Sequence, residues 1–251
     1  MFDLHPVPVP DLSGRRVFVT GAGRGIGAAL ARVLTRHGAH VVAGVHGEAE
    51  ALPDDVTAVP LDVTDDASVR AAAAQVRETM GGLDVLVNNA GLISTIRPLA
   101  ELSADELSPA FDVNVLGLHR VTMACLPMLE EARGLILNAG TGAATKAMEG
   151  WTAYCTSKAA ARMLTMMQDL ELSPRGVHAR FVGIPPTDTA MQAEIREAGL
   201  NPISKIPQKD LVHPDVPATV LAWLCASANR DREEVLLDVR DDLFRGMMAA
   251  A

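Results

Sequence analysis

The sequence from residue 16 to residue 27 is RVFVTGAGRGIG, an apolar run that leads directly into closely spaced glycines. The apolar half predicts a short buried strand, Arg16–Thr20, and a helical segment, Ala28–Arg36, follows the glycines. Glycines in a tight strand-to-helix turn let the backbone approach a pyrophosphate, to which the helix N-terminus offers N–H groups and a positive dipole. The stretch therefore predicts a dinucleotide site. Its binding residues are Gly21, Gly23, Arg24, Gly25, Ile26 and Gly27.

Beyond this stretch, short β-like runs alternate with helical ones, and no repeat or linker divides the chain. The predicted strands are His40–Val45, Thr57–Leu61, Leu83–Val87, Gly134–Asn138 and Val235–Val239. The predicted helices are Asp65–Met80, Ala104–Arg133, Trp151–Leu172 and Val216–Ala226. We therefore expect an α/β fold in a single domain, a doubly wound parallel sheet with helices on both faces, preceded by a Pro-rich lead over residues 1–14.

Composition narrows the function classes. The 251 residues are 49% hydrophobic, enough for one large core, and 22 basic against 31 acidic residues give a formal charge of −9. That charge repels phosphate backbones and anionic lipid, so we expect no nucleic-acid or membrane partner. Because no apolar run reaches the ~20 residues of a membrane span and Met1–Pro6 does not resemble a signal peptide, we expect a soluble, cytoplasmic protein. The three cysteines are expected to be reduced core thiols, with no metal site.

The end of the second predicted strand bears on the choice of dinucleotide. An NAD site usually places an acid at this strand end, whereas a 2′-phosphate calls for basic groups. Here the strand ends in Val45 and His46 without an acid, and Arg24 in the glycine turn offers a guanidinium. We therefore predict NADP(H), with His46 as a further donor. A solvated surface charge is the alternative for Arg24, and Glu48 is the residue that would favour NAD instead.

Asp62, the segment Asn88–Gly91 and Asn114 are three further candidates for the cofactor or catalytic site. Asp62, just past the third strand, is placed either to bind an adenine amino group or to form a turn. The segment Asn88–Gly91 follows the fourth strand, and its small residues leave space beside a cofactor. Asn114 lies inside an apolar stretch; because a buried amide must be hydrogen-bonded, it is either structural or part of a proton path.

A candidate catalytic pair lies in the segment Thr141–Lys158. Tyr154 and Lys158 are four residues apart in a helical segment and so lie on one face, one turn apart. An ammonium close to a phenol favours the phenolate, which makes Tyr154 a candidate general acid near neutral pH. The hydroxyl of Thr141, at the end of a strand, is placed to hold a carbonyl oxygen against the phenol. Taken alone, the pair also fits tyrosine packing and lysine snorkelling.

Together these motifs resemble the short-chain dehydrogenase/reductase family over essentially the whole chain. The motifs are Thr20-Gly21-x-x-x-Gly25-x-Gly27, Asn88-Asn89-Ala90-Gly91, Asn114 and Tyr154-x-x-x-Lys158. The resemblance implies a single Rossmann-type domain over residues 1–251 with a parallel sheet of about seven strands. It also implies a nicotinamide cofactor and a homodimer or homotetramer formed through two long helices.

Within the family, three segments are most similar to the sepiapterin reductase and benzil reductase branch. They are Gly150-Trp151-x-x-Tyr154-Cys155, Asp188-Thr189-x-Met191-Gln192 and Val216-Pro217-Ala218-Thr219-Val220. That branch uses NADPH to reduce ketones flanked by another carbonyl. The resemblance therefore implies a carbonyl reductase acting on a small ketone or a molecule resembling a vicinal diketone.

The resemblance also implies roles for individual residues. Tyr154 protonates the carbonyl oxygen, while Lys158 lowers the pKa of the phenol and holds the nicotinamide ribose. Thr141 stabilises the substrate oxygen, and Asn114 positions a water that relays protons to Lys158. The remaining implied contacts are to the cofactor: Asn89, Ala90 and Gly91 beside the adenosine ribose, Asp62 and Val63 beside the adenine, and Thr189 at the nicotinamide amide.

Two positions depart from the family pattern. The family has Ser where Thr141 stands, and the extra methyl group stiffens the side chain and narrows the pocket. When the sequence is aligned on Asp188-Thr189, the pair Ile184-Pro185 replaces the Pro-Gly turn that passes the nicotinamide ring. If the alignment is shifted by one residue, Pro185 is the expected proline and Pro186 stands in place of the glycine. Either way a glycine is missing and a proline ring takes space where glycine left it. The weakly periodic stretch 189–213 beyond it predicts a lid over the substrate.

Three functional hypotheses follow. The first is the NADPH-dependent carbonyl reductase. The second is a repurposed family member, an isomerase, cyclase or imine reductase acting on a biosynthetic intermediate, and the altered turn at Ile184-Pro185 motivates it. The third is a non-catalytic nucleotide sensor or scaffold, against which the presence of both Tyr154 and Lys158 counts.

Overall fold

The computed structural model describes residues 2–49 and 52–250. One sheet of seven parallel strands has the order β3-β2-β1-β4-β5-β6-β7. The strands are β1 (Arg16–Thr20), β2 (His40–Val45), β3 (Thr57–Pro60), β4 (Val85–Asn88), β5 (Leu135–Thr141), β6 (His178–Ile184) and β7 (Leu236–Asp238). The direction of winding reverses between β1 and β4, and ligands of such sheets bind at that point, beyond the carboxyl ends of the strands. The predicted doubly wound α/β fold is confirmed.

Eight α-helices surround the sheet in the described residues. They are α1 (Gly25–Arg36), α2 (Asp66–Met80), α3 (Ala104–Phe111), α4 (Leu118–Ala132), α5 (Thr152–Leu172), α6 (Ala190–Ala198), α7 (Asp215–Leu224) and α8 (Asp242–Ala249). Side chains of β1 alternate between the two faces, with Val17 and Val19 toward α1, α7 and α8, and Phe18 toward α2, α4 and α5. Each face buries an apolar cluster of its own, and this explains the nearly continuous apolar runs of the central strands.

The helix predicted over Ala104–Arg133 is interrupted. A π-helical segment, Asp112–Gly117, joins α3 to α4, and prolines lie inside both helices at Pro109 and Pro127. Asp65 caps α2, because its side chain accepts a hydrogen bond from the Ala67 backbone N–H at 2.9 Å. The last helix, α8, was not predicted; it buries Phe244 against the α1 and α7 side of the sheet.

The Pro-rich lead contributes to the core. Leu4, Val7 and Leu12 are buried, and the Val7 N–H donates to the hydroxyl of Thr219 on α7 at 3.0 Å. Over residues 2–49 and 52–250, no helix combines the length and apolarity that a membrane span requires.

The cysteines only partly match their prediction. Burial raises the pKa values of Cys125 and Cys225 to about 12, as expected of inert core thiols. Cys155, one residue beyond Tyr154, is only half-buried, so the expectation that all three are core residues is wrong.

Candidate active site

The glycine turn after β1 adopts a backbone that other residues avoid. Gly21 and Gly25 have φ angles of +62° and +58°, in the left-handed region. A Cβ atom on Gly21 would lie 2.7 Å from the Cα of Ala90, and one on Gly27 would collide with the carbonyl oxygen of Gly21. The turn therefore packs against the end of β4, and α1 begins directly at Gly25. This is the backbone geometry that pyrophosphate binding requires.

The side-chain amide of Asn89 is hydrogen-bonded to backbone groups of the glycine turn. Its side-chain Nδ2 donates to the carbonyl oxygens of Thr20 and Gly21 at 3.1 and 3.0 Å. The Thr20 hydroxyl in turn accepts from the backbone N–H groups of Asn89 and Ala90, both at 3.0 Å. Asn89 and Thr20 thus tie the end of β4 to the glycine turn. Thr20 was predicted only as part of the glycine motif; a hydroxyl residue at the end of a buried strand was the available signal for its role.

The groups predicted for the adenosine end lie at the carboxyl ends of β2 and β3. Arg24 is exposed at the N-terminus of α1, and the exposed His46 has its Nε2 atom 3.8 Å from Oδ2 of Asp62. The other carboxylate oxygen of Asp62 accepts from the N–H and hydroxyl of Thr64 at 2.8 and 2.7 Å. These bonds, above all, lower the pKa of Asp62. Asp62 therefore forms a turn, while its second oxygen faces His46.

The loop after β2 and the residue after Asp62 complete this end. A Cβ atom on Gly23 would lie 3.1 Å from a methyl group of Val45 and 3.4 Å from the carbonyl oxygen of Glu48, so the loop lies over the glycine turn. Val63 is buried and packs against Gly117 in the π-helical segment. Its side chain is part of the core.

The structure brings Thr141 and Tyr154 together. Thr141 is the last residue of β5 and Tyr154 lies in the first turn of α5, so the end of the strand places the Thr141 hydroxyl beside the phenol. Tyr154 is 8% exposed. Burial raises the pKa of its phenol to about 12, and the hydrogen bond from Thr141 opposes the shift. At neutral pH the phenol therefore holds its proton, as an acid must before it reacts.

Lys158 lies one turn further along α5 and is buried. Its Nζ atom donates to the carbonyl oxygen of Ala139 at 3.0 Å and lies 6.0 Å from the centre of the Tyr154 ring. Burial lowers the pKa of Lys158 to about 8. The expected depression of the Tyr154 pKa by Lys158 is thus wrong for this structure, because burial of the phenol outweighs other influences. An amine with a pKa near 8 is nevertheless well suited to exchange protons at neutral pH.

Both polar atoms of the Asn114 side-chain amide are hydrogen-bonded within the protein. Its Nδ2 donates to the Leu92 carbonyl at 2.8 Å and to the Ser157 hydroxyl at 2.9 Å, and its Oδ1 accepts from the Leu92 N–H at 2.9 Å. It therefore joins the segment after β4 to α5, beside Lys158. A Cβ atom on Gly91 would lie 3.5 Å from both Asn114 Oδ1 and Lys158 Nζ. These contacts correspond to the structural alternative for Asn114; its part in a proton path stays a prediction.

The turn at Ile184-Pro185, where the sequence departs from the family pattern, begins next to Thr141. Ile184, the last residue of β6, pairs with Thr141, and Pro185 is buried. The carbonyl oxygen of Pro185 accepts from the Thr187 hydroxyl at 2.8 Å, which fixes the turn. Thr189 reaches the glycine turn, since its methyl group would lie 3.3 Å from a Cβ on Gly25. The structure thus brings Thr189 to the glycine turn on which the cofactor prediction rests.

The segment 189–213, for which a lid was predicted, is hydrogen-bonded to the rest of the protein. Over residues 189–213 it contains α6, and buried Asn201 donates from Nδ2 to the carbonyl oxygen of Glu149 at 3.0 Å, in the loop between β5 and α5. Gln192, also buried, donates to the Ile203 carbonyl at 3.1 Å. Ile195 of α6 belongs to the same apolar cluster as Tyr154. Part of this segment thus packs in the same cluster as Tyr154, and its role as a lid stays a prediction.

The fold is that of a known family. A family model described as short chain dehydrogenase matches residues 15–199, and the chain belongs to that family. It is 33% identical over 237 residues to the 2,3-dihydro-2,3-dihydroxybenzoate dehydrogenase of Bacillus subtilis (strain 168), covering 85% of this chain and 89% of the relative.

Two similar solved structures contain nicotinamide cofactors. The 3-ketoacyl-(acyl-carrier-protein) reductase from Brucella melitensis, complexed with NADH, has a TM-score of 0.79 and 27% identity, covering 91% of this chain and 97% of that one. A short chain dehydrogenase from Burkholderia cenocepacia J2315, in complex with NADP, has a TM-score of 0.78 and 30% identity with the same coverage, 91% and 97%. The chain is thus similar to oxidoreductases that use either form of the cofactor.

Proposed function

We propose that this protein is an NADPH-dependent carbonyl reductase that transfers hydride to a small ketone or to a molecule resembling a vicinal diketone. The observation that carries the proposal is the placement of buried Tyr154, in the first turn of α5, beside Thr141 at the end of β5, with buried Lys158 one helical turn away. A protonated phenol beside a second hydroxyl is the arrangement needed to hold and protonate a carbonyl oxygen. The membership of an oxidoreductase family supports the same reaction class.

In the proposed mechanism the chain's residues supply the proton and the bound cofactor supplies the hydride. Thr141 and Tyr154 would hold the carbonyl oxygen, and Tyr154 would give its proton to that oxygen. The Thr141 hydroxyl stabilises the phenolate that remains. A proton then returns to this phenolate by way of Lys158, because an amine with a pKa of about 8 exchanges protons readily at neutral pH. Asn114 keeps the segment after β4 fixed to α5 beside that amine.

For the cofactor we favour NADP(H). The residues that would hold it fit: the turn Gly21–Gly27 has the backbone required for a pyrophosphate, and Thr189 lies against it. Arg24 and His46 are exposed beyond the carboxyl ends of β1 and β2, on the side where a 2′-phosphate is expected. The position of Asp62 at His46 supports adenosine contacts there. Because the similar solved structures include a complex with NADH and one with NADP, titration with both nucleotides tests this choice.

We further propose that the enzyme is a homodimer or homotetramer. Met163, Met166, Met167 and Leu170 on α5 are exposed and recur at helical spacing, so they form one apolar stripe. Soluble monomers seldom expose such a stripe along a long helix. A second copy of the chain that presents the same stripe would bury it.

The second candidate is a repurposed enzyme with a non-redox or bifunctional role. The observation that favours it is the buried Pro185, which follows directly after the residue paired with Thr141 and stands where the family pattern has glycine. If this ring excludes the nicotinamide, Tyr154 remains as an acid for isomerisation, cyclisation or imine chemistry. The two candidates differ in whether the protein oxidises NADPH.

Turnover in a matched pair of variants tests the proposal. Wild-type protein is mixed with NADPH and benzil, and the loss of absorbance at the reduced-nicotinamide band is followed. Tyr154→Phe keeps the ring and deletes the proton, so turnover should fall by about two to four orders of magnitude with NADPH affinity nearly unchanged. Thr141→Ser keeps the hydroxyl and is the control, with a mild effect. Full activity in Tyr154→Phe would contradict the mechanism.

A further inference from the structure

An apolar cluster surrounds the phenol of Tyr154. It contains Ile93 from the segment after β4, Ala143 and Trp151 from the connection between β5 and α5, and Ile195 from the lid. Three separate parts of the chain thus pack in one cluster with the side chain of Tyr154. In the proposed reductase, a substrate carbonyl must enter this cluster to reach Tyr154, so the lid side chain must give way to it.

Trp151 brings an unsatisfied polar atom into this cluster. The residue is 5% exposed, and its indole Nε1 atom is buried without a hydrogen-bond partner among residues 2–49 and 52–250. Its ring lies edge-to-face with that of Tyr154, with 5.6 Å between the ring centres. Buried indole N–H groups usually find an acceptor, because leaving one unmade costs stability. Packing alone would be served by phenylalanine at this position.

The position of this donor limits what it can bind. Because the indole and phenol rings are in edge-to-face contact, a molecule bound against the phenol also lies against the indole. The surrounding side chains of Ile93, Ala143 and Ile195 offer no acceptor of their own. A small molecule that carries two acceptor oxygens on adjacent or nearly adjacent carbons would satisfy both rings at once.

We propose that the Trp151 indole N–H is a substrate-recognition donor that binds a second acceptor oxygen, next to the carbonyl that is reduced. The inference rests on the proposed reductase function and narrows its substrate to apolar ketones with a neighbouring oxygen acceptor. A site built to donate such a bond rejects analogues that lack the acceptor, since its buried donor is then left unpaired. Trp151 is thus a residue that determines specificity.

The test compares Trp151→Phe with wild type on a matched pair of ligands, benzil and deoxybenzoin, which differ by one carbonyl. Trp151→Phe keeps an aromatic ring and deletes the donor. For benzil, the KM should rise about tenfold with kcat little changed, as expected of one lost hydrogen bond. For deoxybenzoin, the KM, or the inhibition constant against benzil if turnover is slow, should change less than about twofold.

A control variant and thermal unfolding separate the loss of the donor from a general effect of the substitution. Trp223→Phe is the control, because the other tryptophan packs against Phe244 and lies outside the cluster around Tyr154. Thermal unfolding of apo Trp151→Phe should occur within a few degrees of the wild-type temperature, since the smaller ring leaves a cavity but the deleted donor has no partner to lose. The increase in unfolding temperature on adding benzil should shrink in Trp151→Phe but not in Trp223→Phe.

Each outcome decides a separate question. If wild type oxidises no NADPH with any carbonyl, the reductase function fails, while the ligand-dependent unfolding temperatures still test the Trp151 donor. Equal losses for benzil and deoxybenzoin would overturn the proposed donor. So would a fall in kcat together with a lower unfolding temperature of the apo variant, because the N–H would then serve the Tyr154 ring instead of the substrate.

Discussion

Replacing Lys158 with methionine should stabilise the protein while it abolishes turnover. Lys158→Met keeps an unbranched apolar stem of similar length and deletes the amine. The amine is buried in α5 with the carbonyl oxygen of Ala139 as its one recorded acceptor in the described residues, at 3.0 Å. Holding a charge there is unfavourable, and the lowered pKa of Lys158 measures that cost.

The magnitude follows from the shift. Burial lowers the pKa of Lys158 from 10.5 to about 8, and each unit corresponds to ~1.4 kcal/mol, so protonated Lys158 destabilises the fold by roughly 3 kcal/mol. Methionine leaves the Ala139 carbonyl without this donor, which costs about 1 kcal/mol. The net gain at pH 7 is about 2 kcal/mol, or about 4–8 °C in Tm for a chain of this size.

The gain should depend on pH. Below pH 8 the amine is protonated in both the folded and the unfolded state, so its full cost is present. Between pH 8 and 10.5 the folded state loses the proton and the unfolded state keeps it, so the stability of wild type rises with pH. The advantage of Lys158→Met should therefore shrink to nearly zero by about pH 9.5.

Urea unfolding of both apo proteins, at one protein concentration and at pH 7 and 9.5, gives the comparison. Tyr154, with a pKa raised to about 12, and the buried cysteines titrate in both proteins and cancel in the difference. Two results would refute the reasoning: a Lys158→Met variant less stable than wild type at pH 7, or a stability difference that does not change with pH.

Three other variants test separate parts of the site and assembly. NADPH should bind at least about tenfold tighter than NADH, and Arg24→Ala should remove most of that preference in fluorescence titrations, since one charge-assisted phosphate contact is worth ~1.4 kcal/mol; equal wild-type affinities would rule this out. Restoring Pro-Gly at Ile184 and Pro185 should change the benzil-dependent rate only modestly, whereas a gain of NADPH binding that wild type lacks would favour the repurposed enzyme. The double variant Met163→Lys and Leu170→Lys places charges on side chains that are 54% and 68% exposed, and it should give a lower mass in light scattering; an unchanged mass would place the interface elsewhere.

The sequence predicted the framework because its signals are local. The strand His40–Val45 was predicted with its observed bounds, and the glycine turn was located from spacing alone. Alternation of strands and helices then leaves few topologies for a parallel sheet. The π-helical segment Asp112–Gly117 was not predicted; within it Asn114 is hydrogen-bonded to Leu92 and Ser157, contacts between residues distant in sequence that a local pattern does not show.

The electrostatics of the site could not be predicted in the same way. Spacing places Lys158 next to Tyr154, but the depth at which both are buried is set by the lid and the segment after β4. That burial raises one pKa and lowers the other. The lid was recognised from its composition, but its anchoring through Asn201 to Glu149 depends on a contact across 52 positions of the chain. The unpartnered N–H of Trp151 was likewise visible only in three dimensions.

The most direct test of the central claim is isotope transfer. Wild-type protein is incubated with NADPH that is doubly deuterated at the reactive carbon of the nicotinamide, together with benzil, and the product is analysed by mass spectrometry. Hydride transfer to a carbonyl protonated by Tyr154 predicts one deuterium on the carbinol carbon of the product, and its near absence with Tyr154→Phe. Recovery of unreacted benzil, or of a reduced product without deuterium, would contradict the account.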